Sequence, residues 1–451
     1  MTERVPRLLL AGTGSGCGKT TVCCALLRAL RDRGVKAAPA KCGPDYIDPM
    51  FHLAAAGAES GNLDPFFFDD ATLRALLSRR AAGRDVTVIE GVMGYYDGLG
   101  FSSDASSYAL CARTETPAVL ILNARGAAAS LLAAAEGFLR FVPDSRVSGL
   151  IFNGCGPMVY ERLAAEVRRR WGGRVRPLGY FPRLEDCELP SRHLGLVTAA
   201  ELPELEDVLT RLGSQASESL DLDGLLDLAE TAPPLEISPA PPARTAPPVR
   251  LAVARDLAFC FYYADSLALL RDLGAELVPF SPLADAALPE GTAGLYLGGG
   301  YPELHAARLA ENASMRAAVR AALAAGLPCV AECGGFMYLT EAIGEHPMVG
   351  ALPGRCFDAG RLTRFGYVTL RAERGNLLCP AGETVRGHEF HRWDCTAPGN
   401  AFTAEKPDGR RWRCVHATDR LYAGFPHFHF AAASRWAERF LQICREGAIT
   451  P

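Results

Sequence analysis

Long apolar runs are lacking in this sequence, and none approaches the ~20 residues that a membrane-spanning helix needs. The apolar stretch that follows Met1 to Arg7 is too short for a secretory signal peptide. An excess of basic residues is also lacking, because the net charge is −4, and nonspecific nucleic-acid binding needs a clustered basic surface. We therefore expect no membrane or nucleic-acid partner and a cytoplasmic location.

Cysteine pairs with metal-binding spacing are lacking as well. The chain has 15 cysteines, but no Cys-x-x-Cys motif is matched by a second one, so a structural zinc site is not expected. The cysteines are scattered along a long chain, and several lie in predicted core strands. This distribution favours reduced thiols over a disulfide framework.

Length and patterning predict two domains. The chain has 451 residues, of which 49% are hydrophobic and 22% charged, as is normal for a soluble globular enzyme of more than one domain. Residues 231–249, TAPPLEISPAPPARTAPPV, are rich in Pro and Ala and lack periodicity, which predicts a semi-rigid, extended linker. We therefore predict an N-terminal domain at residues 1–230 and a C-terminal domain at residues 250–451.

Both parts alternate short β-rich runs with amphipathic helical stretches, which predicts an α/β fold with parallel sheets covered by helices. The predicted strands are Arg7–Gly12, Val35–Lys41, Val86–Glu90, Ala118–Asn123, Ser148–Asn153, Leu251–Arg255, Glu276–Phe280, Gly294–Leu297 and Pro328–Ala331. The predicted helices include Thr20–Arg33, Leu267–Gly274 and Ala306–Ala325.

A glycine-rich turn follows the first predicted strand, in the run RLLLAGTGSGCGKTT. Such a turn directs backbone N–H groups at phosphate oxygens, and the helix that follows adds positive potential at its N-terminus. Lys19 would reach the β- and γ-phosphates of ATP, and the hydroxyl of Thr20 would hold Mg²⁺. The loop is a variant, because Thr13 stands where the usual first glycine would be. The predicted nucleotide-binding residues are Gly12, Thr13, Gly14, Gly16, Gly18, Lys19, Thr20 and Thr21.

Four acidic residues follow the second and third predicted strands, in KCGPDYIDPMFH and IEGVMGYYDG. In an open parallel sheet, ligands gather at the carboxyl ends of the strands, so these acids should lie beside the phosphate loop. An acid after a strand is often only a turn former, but phosphoryl transfer needs carboxylates for Mg²⁺ and for the acceptor. We assign Asp45 and Glu90, with Thr20, to the metal and Asp48 and Asp97 to the substrate. Tyr46 is either a substrate contact or a surface tyrosine.

A second chemical motif, LPCVAECGGFMYL, predicts a strand that ends at Cys333, a glycine turn and a helix. This elbow exposes a nucleophile, and we expect the helix N-terminus to lower the pKa of the thiol. The backbone N–H groups of Gly334, and of Gly299 and Gly300 in LYLGGGYPE, would stabilise an oxyanion. His427 and His429, in AGFPHFHFAA, are the candidate base and its orienting partner. For Cys333 alone, the alternative is a buried packing cysteine.

These motifs resemble those of the cobyrinic acid a,c-diamide synthases over almost the whole chain and in the same order. The motifs that carry the resemblance are KCGPDYIDPMFH, EGVMGYYDG, LPSRHLGL, ARDLAFCFYY, GGGYPEL, ECGGFMYL and RGHEFH. The resemblance implies an N-terminal domain similar to dethiobiotin synthetase, including its one-residue-longer phosphate loop. It implies a C-terminal domain similar to class I glutamine amidotransferases, in which His-x-Glu is usual and His427-Phe428-His429 stands here.

The resemblance implies the following chemistry. The C-terminal domain releases ammonia from glutamine at Cys333, with His427 as base. The N-terminal domain phosphorylates a substrate carboxylate with ATP and Mg²⁺, and ammonia displaces the phosphate. The expected substrates are cobyrinic acid, amidated at its a and c side chains, glutamine and ATP, and the expected assembly is a homodimer.

Two alternatives remain at the level of sequence. The acceptor could be hydrogenobyrinic acid or a nickel sirohydrochlorin, whereas cobyric acid synthases fit KCGPDYIDPMFH less well. The first domain could instead be an ATPase switch of the partitioning type that binds a partner protein. A switch has no use for ammonia, so the glutaminase motifs argue against it.

Overall fold

A computed structural model describes residues 2–187, 189, 191–192, 195–237 and 248–448. The chain divides into two compact units, Met1–Ala240 and Pro241–Pro451, and each is described by itself. Residues 238–247 of the predicted linker, and residues 190, 193 and 194 of the LPSRHLGL motif, lie outside the described residues.

The first unit contains a seven-stranded sheet in which all neighbouring strands run parallel. Its strands are β1 (Arg7–Gly12), β2 (Ala37–Cys42), β3 (Gly61–Leu63), β4 (Val86–Glu90), β5 (Ala118–Asn123), β6 (Val147–Asn153) and β7 (Arg176–Phe181). Their spatial order is β3-β2-β4-β1-β5-β6-β7. The carboxyl ends of β1, β2 and β4 therefore meet at one edge of the sheet, where they position the loops that carry the predicted phosphate site.

Eight α-helices belong to the described part of this unit. They are α1 (Lys19–Asp32), α2 (Asp48–Ala56), α3 (Asp70–Ala81), α4 (Ser107–Thr114), α5 (Ala129–Arg140), α6 (Pro157–Trp171), α7 (Leu205–Ser219) and α8 (Leu222–Glu230). Short 3₁₀ turns lie at Gly172–Arg174 and Ala199–Glu201. Two-residue antiparallel ladders join Thr2–Glu3 to Leu235–Glu236 and Ser191–Arg192 to Gly195–Leu196. β1, β2 and β4 are buried along their whole length, as expected for strands of a parallel sheet that is covered on both faces.

The second unit contains a six-stranded sheet that carries the second predicted site. Its strands are β8 (Val249–Ala254), β9 (Ala275–Phe280), β10 (Gly294–Leu297), β11 (Cys329–Glu332), β18 (His416–Thr418) and β19 (Leu421–Gly424). The spatial order is β9-β8-β10-β11-β19-β18, and only the pairing of β18 with β19 is antiparallel. The carboxyl ends of β10 and β11 carry the triple glycine and Cys333.

A second sheet in this unit is mainly antiparallel. Its strands are β12 (Ala342–Ile343), β13 (His346–Pro347), β14 (Arg355–Ala372), β15 (Thr384–Cys395), β16 (Phe402–Glu405), β17 (Arg411–Cys414) and β20 (His427–Phe428). β20 pairs with β15, so that His427 lies opposite His388. The chain therefore passes from β19 of the six-stranded sheet into the second sheet at His427, the predicted base.

The second unit contains five α-helices in its described part. They are α9 (Ala264–Asp272), α10 (Ala306–Glu311), α11 (Ala313–Ala324), α12 (Gly334–Leu339) and α13 (Ser434–Ala448), with 3₁₀ turns at Pro302–His305 and Phe430–Ala432. One apolar cluster packs Trp436 and Phe440 of α13 against strand residues such as Val330 and Tyr422. Another cluster contains Cys333 and the buried residues of α12. In the described part of the chain, no helix is both long enough and apolar enough to cross a membrane.

The structure confirms the α/β class and departs from the predicted elements most clearly in one helix and in one whole sheet. The helix predicted at Ala306–Ala325 is interrupted at Asn312, whose side chain accepts the N–H of Met315 and so caps the second of two helices. The antiparallel sheet was not predicted, because much of β14 is polar and exposed and lacks the apolar pattern of a core strand.

Candidate active sites

The predicted phosphate loop forms the turn between β1 and α1. Gly18 has φ 90°, a left-handed conformation that only glycine adopts readily, directly before the helix begins at Lys19. A Cβ at Gly18 would also lie 2.2 Å from Nδ2 of Asn153. That amide donates to the carbonyl of Cys17 over 2.9 Å, so the end of β6 supports the loop from below.

Two side chains of the loop make defined contacts. Nζ of Lys19 donates to the carbonyls of Gly14, at 3.0 Å, and Met93, at 2.6 Å, and burial lowers its pKa. Oγ1 of Thr20 donates to Oε1 of Glu90 over 2.7 Å. The structure therefore places the predicted loop residues in one continuous segment, from the end of β1 through the turn to the start of α1, next to the end of β4. These residues are Gly12, Thr13, Gly14, Gly16, Gly18, Lys19, Thr20 and Thr21.

Glu90 lies at the centre of a buried polar network. Its Oε1 accepts from Thr20 and also from Nζ of Lys41, at 3.0 Å, while its Oε2 lies 2.7 Å from Nε2 of His52. Nδ1 of His52 in turn lies 3.0 Å from Oγ of Ser60. Burial opposes ionisation, but Lys41 and His52 outweigh it and hold the pKa of Glu90 well below its usual range. Glu90 is therefore a carboxylate at neutral pH.

Lys41 joins this network to Asp48. Its Nζ lies 2.6 Å from Oδ2 of Asp48, and both side chains are nearly inaccessible to solvent. Burial alone would lower the pKa of Lys41, but Asp48 and Glu90 outweigh burial and raise it well above its usual value. Sequence reasoning assigned no role to Lys41 or His52. The sequence could have indicated both residues, because Lys41 is the first and His52 the last residue of the motif KCGPDYIDPMFH.

The other predicted acids surround the same loop. Oδ1 of Asp45 accepts the N–H groups of Ile47, at 2.7 Å, and Asp48, at 3.1 Å, so this carboxylate holds the turn that leads into α2. Oδ2 of Asp97 accepts the N–H of Gly94 at 2.9 Å, and the N–H of Tyr95 donates to the carbonyl of Gly12 at 2.8 Å. The loop that carries Asp97 therefore packs on the phosphate loop. Tyr46 is half-buried between Asp45 and Ile47.

These residues fit a nucleotide and a hard divalent cation. A Cβ at Gly14 or at Gly16 would meet no atom of the described residues within 4 Å, so the rim of the loop is open in this part of the chain. The hydroxyl of Thr20 and the carboxylate of Glu90 already adjoin each other, and oxygen donors of this kind are those that Mg²⁺ prefers. Lys19 supplies a cation at the same rim.

Cys333 lies in a strained elbow between β11 and α12. Its backbone has φ 48° and ψ −102°, a conformation that costs energy for any residue except glycine and is concentrated at functional sites. The N–H of Cys333 donates to the carbonyl of Gly424 at 2.7 Å, and its carbonyl accepts the N–H of Met337. The elbow is thereby fixed from both sides.

The thiol of Cys333 differs from the expectation. Burial and the negative charges of Glu303 and Glu389 raise the pKa of the Cys333 thiol, although the N–H of Gly334 opposes this rise. The lowering that we expected from the helix N-terminus is therefore overcome. α12 has only six residues and the thiol is buried, so desolvation of the thiolate outweighs the helix dipole. A neutral thiol needs a base to remove its proton before the sulfur can act as a nucleophile.

The triple glycine comes into direct contact with the elbow. A Cβ at Gly334 would lie 3.2 Å from the backbone N of Gly300. Gly300 itself has φ 152°, and a Cβ there would lie 2.1 Å from the carbonyl O of Ala258, so no other residue fits. The carbonyl of Gly299 accepts the N–H groups of Cys260 and Phe261, both at 3.0 Å. The structure thus brings together Gly299, Gly300 and Gly334, the predicted donors to an oxyanion.

His427 lies against the same glycines. A Cβ at Gly299 would lie 2.7 Å from Cε1 and 3.3 Å from Nε2 of His427. On the other side of the ring, Nδ1 lies 3.0 Å from Oε2 of Glu332, the residue directly before Cys333. Oε1 of Glu332 accepts a hydrogen bond from the hydroxyl of Tyr296 at 3.0 Å. All three side chains are buried.

His429 has different surroundings from those expected. Its Nδ1 lies 3.3 Å from Oγ of Ser266 and accepts the N–H of Ala431 at 3.1 Å, and its ring packs on Tyr263. We expected His429 to orient His427, but Nδ1 of His427 lies against Glu332. His388 also stacks on His427, with ring centroids 5.1 Å apart and planes inclined by 20°. Burial and the adjacent His427 lower the pKa of His388 well below its usual value.

Comparison with known proteins agrees with this division of chemistry. Residues 8–230 match the CobQ/CobB/MinD/ParA nucleotide binding domain, and residues 250–435 match the CobB/CobQ-like glutamine amidotransferase domain. The cobyrinate a,c-diamide synthase of Salmonella typhimurium is 39% identical over 458 residues, which covers 99% of both chains. The cobyrinate a,c-diamide synthase of Listeria monocytogenes is 39% identical over 438 residues, 94% of this chain and 96% of its own.

The chain belongs to the cobyrinate a,c-diamide synthase family. It is therefore an enzyme of the ligase class, with a nucleotide-binding domain followed by a glutamine amidotransferase domain. Among solved structures, a glutamine amidotransferase is similar at a TM-score of 0.32 and 20% identity, over 43% of this chain and 98% of that chain. The membership rests on the sequence relatives and the family models.

Proposed function

We propose that this family member amidates the a- and c-side-chain carboxylates of cobyrinic acid in cobalamin biosynthesis, with glutamine as the nitrogen donor and ATP as the energy source. Carboxylates are poor electrophiles, so the reaction needs an activated acyl group. An acyl phosphate formed from ATP provides it. The observation that carries the proposal is that one chain contains two sets of candidate catalytic residues. One set is the Cys333 elbow with its glycine donors and His427. The other is the phosphate loop, together with the hydrogen bond between Thr20 and Glu90.

The glutaminase half reaction uses residues of the second unit. The thiol proton of Cys333 moves to His427, and the sulfur attacks the carboxamide carbon of glutamine. The N–H groups of Gly299, Gly300 and Gly334 stabilise the negative oxygen of the tetrahedral intermediate. His427 returns the proton to the departing nitrogen, and ammonia leaves. Water then hydrolyses the thioester to give glutamate.

The synthetase half reaction uses residues of the first unit. The loop from Gly12 to Thr21 and Lys19 bind the phosphates of ATP, and Asp48 and Asp97, with Tyr46, contact the acceptor. A side-chain carboxylate of the acceptor attacks the γ-phosphorus, and ADP leaves. Ammonia then attacks the acyl carbon and displaces phosphate, which gives the amide. Thr20, Glu90 and Asp45 would hold Mg²⁺, which neutralises charge on the phosphates when bound.

The test is direct incubation of the purified chain with MgATP, glutamine and a panel of tetrapyrrole acids. The panel contains cobyrinic acid, hydrogenobyrinic acid and nickel sirohydrochlorin, and mass spectrometry records conversion of acids to amides. We expect cobyrinic acid to gain two amides and to do so at the highest kcat/KM. A higher kcat/KM for either of the other two acids would identify that acid, and not cobyrinic acid, as the preferred acceptor.

The same assay addresses the rival from another class. A partitioning-type switch would hydrolyse ATP in response to a protein partner, whereas a synthetase hydrolyses ATP in proportion to the amide formed. We expect ATP turnover to depend on the acceptor acid and to match amide formation. ATP turnover that does not respond to any acid would favour the switch. The domain boundaries at residues 230 and 250 remain part of the proposal, as do the homodimer and the cytoplasmic location.

A further inference from the structure

Both carboxylate oxygens of Glu332 contact side chains of the candidate glutaminase site. Oε2 lies 3.0 Å from Nδ1 of His427, and Oε1 accepts the hydroxyl of Tyr296 at 3.0 Å. Glu332 is only 2% exposed, so these contacts replace its hydration. Burial and the charge of Glu332 raise the pKa of Tyr296 well above its usual value, so the phenol keeps the proton that it donates.

The backbone explains why this carboxylate reaches the histidine. β11 ends at Glu332, and the elbow at Cys333 turns the chain sharply directly afterwards. β20 begins at His427 and pairs with β15, and His388 of β15 stacks on the imidazole ring. The carboxylate therefore fixes one edge of the ring, while His388 restricts its plane.

We propose that Glu332 is the positioning residue of a Cys333–His427–Glu332 triad, in which the carboxylate comes from the residue immediately before the nucleophile. The proposal rests on the glutaminase half of the proposed function. The N–H at Nδ1 of His427 donates to Glu332, which leaves Nε2 as the basic nitrogen. Nε2 takes the proton from the sulfur of Cys333 as the carbon–sulfur bond forms. It later gives that proton to the leaving ammonia, while the contact with Glu332 holds the ring in place and stabilises the imidazolium.

The alternative positioning residue is His429, which the His-x-His spacing predicts to orient His427. Its Nδ1 is engaged by Ser266 and by the N–H of Ala431, and its ring packs on Tyr263 with centroids 4.7 Å apart. These contacts tie the start of the 3₁₀ turn Phe430–Ala432 to α9. They assign His429 to the support of this turn.

The decisive variant is Glu332→Gln. A glutamine amide can donate to Nδ1, which moves the imidazole proton to Nε2, and His427 then cannot accept the thiol proton. In a serine protease the corresponding loss of the correct tautomer costs about 10⁴-fold in kcat. We expect kcat for glutamate release to fall at least ~100-fold, while the KM for glutamine stays within about threefold because the proposal assigns Glu332 a contact with His427 and none with glutamine. Synthesis with ammonium should stay within about twofold of wild type, because it bypasses this site.

Controls separate the possible outcomes. Glu341→Gln, a change at an exposed carboxylate close in sequence, should leave glutamate release unchanged. If Glu332→Gln keeps kcat within about threefold of wild type, or if His429→Ala loses more kcat than Glu332→Gln, the triad is wrong. If the wild-type chain releases no glutamate from glutamine, the proposed function itself fails, and not only the triad.

A second variant covers the case in which the second unit of Glu332→Gln does not fold, which would show as loss of that unit's thermal transition. Glu332→Asp keeps the charge but withdraws the carboxylate by one methylene from Nδ1. We expect it to lower kcat about tenfold or more at unchanged KM, and wild-type kcat in this variant would overturn the proposal.

Discussion

Nζ of Lys41 lies 3.0 Å from Oε1 of Glu90, the same carboxylate oxygen to which the hydroxyl of Thr20 donates. A buried cation and the helix that follows the phosphate loop thus meet at one oxygen atom. Removing the negative charge of Glu90 should therefore affect both the binding of a divalent cation and the position of Lys41.

We expect Glu90→Gln to reduce ammonium-dependent amidation by roughly two decades or more, because a group that holds metal or positions charge contributes several kcal/mol to barrier lowering. Initial rates at saturating Mg²⁺ measure the effect. Asp223→Asn, at an exposed acid that pairs with Arg33 on the surface, is the matched control. Near-normal turnover of Glu90→Gln would show that Glu90 is not needed to hold the metal ion.

Lys41→Met should lower the free energy of unfolding by about 3–5 kcal/mol, since it leaves Asp48 and Glu90 buried without their shared cation. Denaturant unfolding of the single and double variants measures it. Adding Glu90→Gln to Lys41→Met should cost less than the sum of the two single changes, because the second change removes one of the unpaired charges. Strict additivity would show that the two groups are not coupled.

Asp45 has a structural contact that must be separated from any role in catalysis. The Oδ1 atom of asparagine can accept the same two N–H groups, so Asp45→Asn keeps the turn before α2 while it removes the charge. We expect this variant to fold normally and to lose roughly two decades of synthesis, as expected for a metal ligand. Normal synthesis in Asp45→Asn, together with reduced thermal stability in Asp45→Ala, would show that Asp45 only holds the turn before α2.

Cys333→Ala should abolish glutamine-dependent amidation and leave amidation with high ammonium unchanged. Only the glutaminase half reaction needs a thiol, and the acyl phosphate accepts ammonia from either source. Parallel assays with glutamine and with ammonium chloride measure both activities. Equal loss in the two assays would indicate that Cys333 is structural.

The pH dependence of thiol alkylation reports on the raised pKa of Cys333. A raised pKa means that the protonated thiol dominates at neutral pH, and that the thiolate fraction grows about tenfold per pH unit below the pKa. Without glutamine, inactivation by iodoacetamide should therefore accelerate about 100-fold from pH 7 to pH 9 and show no plateau. Mass spectrometry of the Cys333 peptide, with Cys333→Ala as the blank, identifies the modified thiol. A plateau near pH 7 would instead indicate a preformed thiolate.

The sequence was sufficient for features that are local in the chain. Gly18, Lys19 and Thr20 are consecutive, so a strand, a turn and a helix in that order predicted their arrangement. The bounds of β1, β4, β5 and β10 agree with the predicted ones for the same reason.

The sequence was not sufficient for contacts between distant segments. Glu332 is adjacent to Cys333 in the chain, yet its role depends on where His427 lies, and that position is set by the pairing of β20 with β15. Lys41 and His52 reach Glu90 only because β2 and β4 are neighbours and α2 packs beside them. The pKa of Cys333 depends on burial, which no spacing of residues reports.

Each set of functional residues comes from one side of the Pro- and Ala-rich segment, since the described phosphate-loop contacts end at Asn153 and those of the elbow begin at Ala258. We therefore expect each site to be complete within its own unit, and the covalent connection to keep the two units close together. A short tether turns an encounter between two proteins into an intramolecular one, at an effective concentration on the order of millimolar. Two separately produced halves should therefore each retain their own half reaction, while glutamine-dependent amidation by the mixture becomes dependent on protein concentration.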